Sequence, residues 1–355
     1  MDKIKSKLIL FITFFLTISN YAFGNDGGFY AKGNTLFPLK STNIELKKEV
    51  LYLTLDKAFL RVNINFTFYN PSDEQTILVG FVTPPADGVV TDEEKKHPQI
   101  KDFIVYVNNE LIEFNITSID STDFKLYNKE NFDGKDFIYY FPVTFKKGIN
   151  TVQHSYSYIG SFNILPIKTY DYKLTTGKLW ANKQIEDFEL IINLGEDIYF
   201  HLPERMQNQN DFNMWETIGI GRLLNKNDVN STVTGYVKSG SIRYRAKNFV
   251  PEFDFRITII DKMFEFNSKF RINYFAQSLK DNDVIWTDEE LRILKNSLFA
   301  FKGYDFKSKD LHNYFSQYAW YIPDPLIKND LNIFTEWEQK RFFEIEELIK
   351  SKTKE

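Results

Sequence analysis

Apolar and polar residues alternate along most of the chain. In the segment FLRVNINFTFYN (59–70), apolar side chains occupy every second position from Leu60 to Phe68. A period of two is typical of a strand with one buried and one solvent-facing side. Similar short segments, separated by turn residues, continue from about Asn43 to Ile260. The pattern predicts a mainly β body with the architecture of an antiparallel β-sandwich.

Within this body, DFIVYVNNELIEFNI (102–116) consists of two alternating arms on either side of Asn108 and Asn109. It predicts a β-hairpin whose turn is the asparagine pair. The strand-rich region, 25–277, is long enough for one sandwich or for two, with a possible split near 165–185.

The hydrophobic period becomes helical after residues 278–284, which we interpret as the main domain boundary. Thr287 to Glu290 and Thr335 to Glu338 both have the composition of a capping box, in which a threonine and a glutamate cap the start of a helix. Gly303 is placed where a left-handed residue would end the first helix, and Ser308 is placed to cap a second one. The sequence therefore predicts a small three-helix module over 284–355.

The first 24 residues have the organisation of a secretory signal peptide. Lys3, Lys5 and Lys7 precede a short apolar stretch, and Ala22 and Gly24 form a small-x-small cleavage site. The apolar stretch is shorter than the ~20 residues that span a bilayer. We therefore expect cleavage after Gly24, a periplasmic or secreted mature protein, and no membrane span in that protein.

Composition excludes several function classes. The chain has no cysteine, which excludes disulfides and thiolate metal sites, and its four histidines lack metal-ligand spacing. The net charge of −4 provides no basic footprint for nucleic acid. The sequence contains neither a nucleophile elbow nor a phosphate-binding loop. We expect no metal and no cofactor, we nominate no catalytic residue, and we favour a protein that is not an enzyme.

The segment LRILKNSLFAFKGYDFKSKDLHNYFSQYAWY (291–321) resembles the YARHG domain, a small module of exported bacterial proteins. The resemblance rests on the first helix and on Ala300, Gly303-Tyr304, Phe306 to Ser308 and Trp320-Tyr321. Three positions depart from the signature, because Phe299, Phe301 and Lys302 replace its Tyr, Arg and His. The resemblance implies no particular chemistry, since the family has no established activity.

The N-terminal part resembles a family of exported bacterial β-rich domains of unknown function. The segments that carry this resemblance are Asn25 to Gly28, IELKKEVLYLTL (44–55), VNINFTFYNPSDEQTILVGFVTPP (62–85) and FPVTFKKGINTVQHSYSY (141–158).

Aromatic and basic residues of the helical module are the candidate ligand contacts. Tyrosine rings stack on sugar faces, and lysine holds anionic groups. On this basis Tyr321, Lys302, Lys307 and Tyr318 are predicted to contact a ligand, with Tyr321 and Lys302 on the surface. Gly303 and Trp320 are predicted to be structural, Trp320 as part of the module core.

Three functions are compatible with these observations. The first is a non-catalytic cell-envelope protein whose helical module binds a cell-wall glycan such as peptidoglycan, or an envelope protein. The second is a hydrolase of envelope glycan that uses a carboxylate pair the sequence does not identify. The third is a component of a surface or secretion assembly that adds a sheet edge to a partner.

Overall fold

The computed structural model describes residues 32–34, 36–40, 42–85, 91–93, 96–122, 136–162, 167–208, 212–225, 232–265, 270, 279 and 285–352. The predicted signal peptide and most of the predicted boundary at 278–284 lie outside the described residues.

The predicted succession of strands followed by three helices is confirmed. The strands are β1 (Lys32–Asn34), β2 (Phe37–Pro38), β3 (Glu45–Asp56), β4 (Phe59–Asn70), β5 (Gln75–Thr83), β6 (Lys101–Val107), β7 (Glu110–Leu111), β8 (Asn115–Ser118), β9 (Phe137–Phe145), β10 (Gly148–Ile159), β11 (Ser161–Phe162), β12 (Lys168–Lys173), β13 (Ile185–Asn193), β14 (Ile198–Pro203), β15 (Trp215–Asn225), β16 (Thr232–Phe249) and β17 (Phe255–Ile259). The helices are α1 (Asp288–Phe301), α2 (Lys309–Ser316) and α3 (Glu336–Lys352).

The strands form two sheets. A 13-stranded sheet has the order β1-β12-β17-β14-β16-β13-β3-β4-β10-β6-β7, with β11 added beside β12 and β15 beside β16. A 4-stranded sheet has the order β2-β5-β9-β8. Most neighbours are antiparallel, whereas β3 with β13 and β1 with β12 are parallel, so the large sheet is mixed. It contains strands from both sides of residues 165–185, and the split suggested there stays a prediction.

The two sheets pack face to face, because the alternating residues turn their apolar sides toward each other. The apolar residues of β4 from Leu60 to Phe68 are at most 1% exposed. Phe68 of the large sheet packs against Phe145 of the small sheet, with ring centroids 5.4 Å apart. Tyr156 and Phe81 stack across the same interface at 5.3 Å. This is the sandwich that the period of two predicts.

Local sequence signals place a hairpin turn and a helix start where expected. Asn108 and Asn109 have φ of 49° and 69°, and Val107 pairs with Glu110, so the asparagine pair forms the predicted hairpin turn. Thr287 and Glu290 form the predicted capping box at the start of α1, with bonds of 2.7 Å and 3.2 Å. Such caps stabilise a helix by about 0.5–2 kcal/mol.

The other two helices also begin near their predicted caps. Thr335 and Glu338 cap α3 reciprocally, with bonds of 2.8 Å and 3.3 Å. Ser308 is the N-cap residue of α2, and its hydroxyl donates to the Asp310 carboxylate.

The helical module has a core of its own that also includes side chains of the β body. Leu294 and Leu298 of α1 and Ile345 of α3 are fully buried or nearly so. Tyr199 of β14 and Tyr236 of β16 belong to the same apolar cluster. The module therefore packs directly on the large sheet. Whether 284–355 folds without that sheet stays a prediction.

Candidate functional site

The segment that resembles the YARHG signature forms the end of α1 and the turn that follows. Phe299 packs inside the module, with its ring 4.6 Å from that of Phe334. Gly303 has a φ of 85°, and its N–H bonds to the Ala300 carbonyl at 2.9 Å. The Tyr304 N–H reaches back to the Phe299 carbonyl at 3.1 Å. These two bonds are those of a Schellman motif, which needs a left-handed residue at the glycine position.

Tyr321 is buried, so the expectation that it lies on the surface is wrong. Its side chain is 0% exposed, and its hydroxyl donates to the Tyr304 carbonyl at 2.9 Å. The same hydroxyl accepts the Phe306 N–H at 3.4 Å. Burial raises the pKa of Tyr321, because the phenolate would lose its water. Tyr321, which follows α2, is therefore hydrogen-bonded to the turn after α1.

Lys302 is half-buried rather than freely exposed, and it forms an ion pair across the module. Its ammonium lies 2.8 Å from the Glu338 carboxylate at the start of α3. Burial would raise the pKa of Glu338, but the hydrogen bonds from Lys302 and from the Thr335 N–H lower it. Lys302 thus connects the end of α1 to the cap of α3. Lys307, in contrast, is exposed and has no ion-pair partner among the described residues.

A row of four aromatic rings in mutual contact runs from the core of the module to its surface. The Phe301 ring lies 4.6 Å from that of Trp320, which is 3% exposed. Trp320 stacks on Tyr318 at 5.2 Å with an interplanar angle of 16°, and Tyr318 lies 5.8 Å from Tyr314. Both tyrosines are half-buried. Trp320 is a core residue, Phe301 is partly buried against the same core, and the outer two rings present part of their surface to solvent.

The β body places a cation on the inner end of this aromatic row. The Lys262 ammonium lies 4.6 Å from the centroid of the Phe301 ring. Burial lowers the pKa of Lys262, and the nearby carboxylates of Asp197 and Asp261 oppose that effect. The Tyr236 hydroxyl donates to the Asp197 carboxylate at 2.5 Å. Burial, together with this bond, raises the pKa of Tyr236. Thus Phe301, at the arginine position of the signature, faces a lysine of the β body.

The sequence predicts structural roles for Trp320 and Gly303, which are buried and left-handed respectively, but it does not point to Lys262. Ligand contact by Tyr318 stays a prediction. No local pattern marks Lys262, because its contact with Phe301 depends on how the module docks on the sheet. Across the described ranges, no group of three or more His, Asp or Glu side chains has an arrangement that could hold a metal ion. No helix in that part of the chain combines the length and apolarity needed to cross a membrane.

Comparison with known proteins bears on the C-terminal module and on the fold. Residues 267–349 match the family model of the YARHG domain, which confirms the resemblance of the C-terminal module. The match agrees with an extracellular or periplasmic protein. No curated protein matches the chain.

A similar solved structure is a Legionella pneumophila protein, provisionally described as a nutrient binding protein. It is 19% identical with a TM-score of 0.54, and the similarity covers 92% of this chain and 99% of that one. At this identity the similarity concerns the fold.

Proposed function

We propose that the chain is an exported cell-envelope protein that binds a cell-wall glycan or an envelope partner through its helical module and catalyses no reaction. The observation that carries the proposal is the aromatic row that ends in half-exposed Tyr318 and Tyr314. The solved structure described as a nutrient binding protein has a similar fold and supports a binding role. Export is supported by the signal-like N-terminus and by the YARHG match.

Tyr318 and Tyr314 suit a sugar for two physical reasons. Their rings are held at a fixed angle by Trp320 and by each other, so stacking on a sugar face costs little side-chain entropy. The Tyr318 hydroxyl donates to the Tyr314 hydroxyl at 3.4 Å, and the Tyr314 hydroxyl would in turn donate to a hydroxyl of the glycan. Lys307 is exposed in the turn before α2 and would pair with the carboxylates of peptidoglycan. Lys302 would contribute by fixing that turn through Glu338.

Retention on isolated peptidoglycan sacculi tests the proposal. The mature chain should co-sediment with sacculi, and Tyr314→Ala or Tyr318→Ala should weaken retention about 2- to 10-fold, as expected for the loss of one stacking ring. Phe343→Ala is the matched control, because Phe343 is 52% exposed on α3 of the same module. Equal retention of the tyrosine variants and wild type would remove the aromatic row from the binding surface.

The same incubation separates binding from hydrolysis. Muropeptides released into the supernatant by the wild-type chain would favour the envelope-glycan hydrolase. An intact sacculus with bound protein favours the non-catalytic role. The N-terminal sequence of the exported product tests localisation, and we expect it to begin at Asn25.

One observation supports the assembly component as a second candidate. Strand β15 pairs only with β16 among the described strands, and it exposes Ile218 by 39% and Ile220 by 49%. An open edge with apolar side chains is a place where a partner strand can add. Concentration-dependent self-association that Ile220→Lys abolishes would favour this role.

A further inference from the structure

A cleft opens where two neighbouring strands of the large sheet separate. β14 and β17 pair at Phe200 with Ile259 and at His201 with Thr258, and their pairing stops there. The two segments meet again where the Met206 carbonyl accepts the N–H groups of residues 252 and 253, at 3.0 Å and 3.2 Å. The opening between these two contacts has a volume of about 290 Å³.

The cleft combines charged, polar and apolar side chains. The charged ones are Arg205, Asp254 and Arg256, and the apolar ones include Leu202 and Phe253. Arg256 is held from behind by Asp171, which is 7% exposed and accepts two guanidinium bonds of 2.6 Å and 3.2 Å. The charge of Arg256 is therefore already compensated within the protein.

The other two charges of the cleft are not compensated. Neither Arg205 nor Asp254 has an ion-pair partner in the described part of the chain, and the two do not pair with each other. Asp254 is oriented by Thr175, whose hydroxyl and N–H donate to Oδ1 at 2.9 Å and 3.3 Å. The second carboxylate oxygen remains available. Arg205 is placed over the Phe253 ring, 5.8 Å from its centroid.

We propose that this cleft binds a free α-amino acid with an apolar side chain. The ligand carboxylate pairs with Arg205, its ammonium pairs with Oδ2 of Asp254, and its side chain packs on the exposed Phe253 ring. A cation and an anion held apart in one cleft match a ligand that carries both charges at separate atoms. The volume lies at the lower end of small-molecule pockets, on the order of 300–1,000 Å³, which favours a single amino acid over a peptide. This site is separate from the aromatic row and does not depend on its role.

Calorimetric titration of the mature chain tests the proposal with four probes. L-leucine and L-phenylalanine carry both charges, L-leucine amide lacks the carboxylate, and N-acetyl-L-leucine lacks the ammonium. We expect saturable binding of the free amino acids, and at least tenfold weaker binding of the amide and of the N-acetyl compound. Absence of binding by both free amino acids would overturn the proposal.

Two variants assign the charges. Arg205→Gln should lower the affinity for L-leucine at least tenfold. It should leave the affinity for L-leucine amide unchanged, because the amide has no carboxylate to pair with Arg205. Asp254→Asn should lower the affinity for L-leucine but not that for N-acetyl-L-leucine, which has no ammonium to pair with Asp254. Arg61→Gln is the control, because Arg61 lies on β4 and pairs with Asp56 instead. Melting curves establish that each variant is folded, and Arg205→Lys, which keeps the charge, should recover part of the affinity. Amino acid binding that neither Arg205→Gln nor Asp254→Asn weakens would overturn the proposed site.

Discussion

Acidification should destabilise the β-sandwich through one buried histidine, His154. Its side chain lies between the sheets, 3% exposed, with ring centroids of Phe66, Phe81 and Phe103 at 5.5–5.7 Å. Neither ring nitrogen has a hydrogen-bond partner among the described residues. Burial therefore lowers the pKa of His154 to about 3 from an ordinary value of 6.5. The folded protein keeps this imidazole neutral at pH values where the unfolded chain binds a proton.

The sign and size of the effect follow from this difference. Below pH 6.5 the unfolded chain binds a proton at His154 that the folded chain does not bind. The free energy of unfolding therefore falls as the pH falls toward 3. Each pH unit in that interval contributes about 1.4 kcal/mol, which gives at most about 5 kcal/mol by pH 3. Between pH 7.5 and pH 5.0 the expected loss is about 2 kcal/mol. That is a substantial part of a typical domain stability of about 5–15 kcal/mol.

The perturbation is His154→Leu, and the assay is urea unfolding followed by circular dichroism at pH 7.5 and pH 5.0. The leucine also changes packing, but packing contributes equally at both pH values and cancels in the difference between them. On acidification from pH 7.5 to pH 5.0, the free energy of unfolding should fall by about 2 kcal/mol more in wild type than in the variant. His97→Leu is the control, since the His97 side chain is 69% exposed in a loop. An equal acid-induced loss in wild type and His154→Leu would refute the reasoning.

Three further changes test individual contacts by urea unfolding at neutral pH. Gly303→Ala should cost about 1–2 kcal/mol, because a Cβ would lie 2.8 Å from the Ile322 carbonyl at a φ of 85°; Gly148→Ala, with a φ of 94° in open space, should cost less. Tyr321→Phe should cost about 1 kcal/mol by removing the hydroxyl that bonds to the Tyr304 carbonyl, and an unchanged stability would contradict that role. Thr335→Ala should cost about 1 kcal/mol through the lost cap of α3, whereas Thr76→Ala, on an exposed cross-strand pair, should have a smaller effect.

The sequence predicts those features that depend on neighbouring residues. Alternation in β4, the asparagine turn at 108–109 and the threonine caps of α1 and α3 follow from local physical chemistry, and the structure contains all of them. The parallel pairing of β3 with β13 joins segments more than 130 residues apart. Its register is set by tertiary packing, so no local period reveals it. The same holds for the separation of β14 from β17, because each strand is regular on its own.

Tyr321 shows where a periodic argument ends. Helix α2 finishes at Ser316, so the helical period no longer decides which side chains of the following turns face inward. The turns place Trp320 and Tyr321 in the core and leave Tyr318 half-buried, next to the half-buried Tyr314 of α2. Under the proposed glycan-binding role, a substitution of Trp320 or Tyr321 would therefore change stability and binding together. Only the outer rings can separate the two, because a change there would remove the proposed ligand contact while the core beneath stays packed.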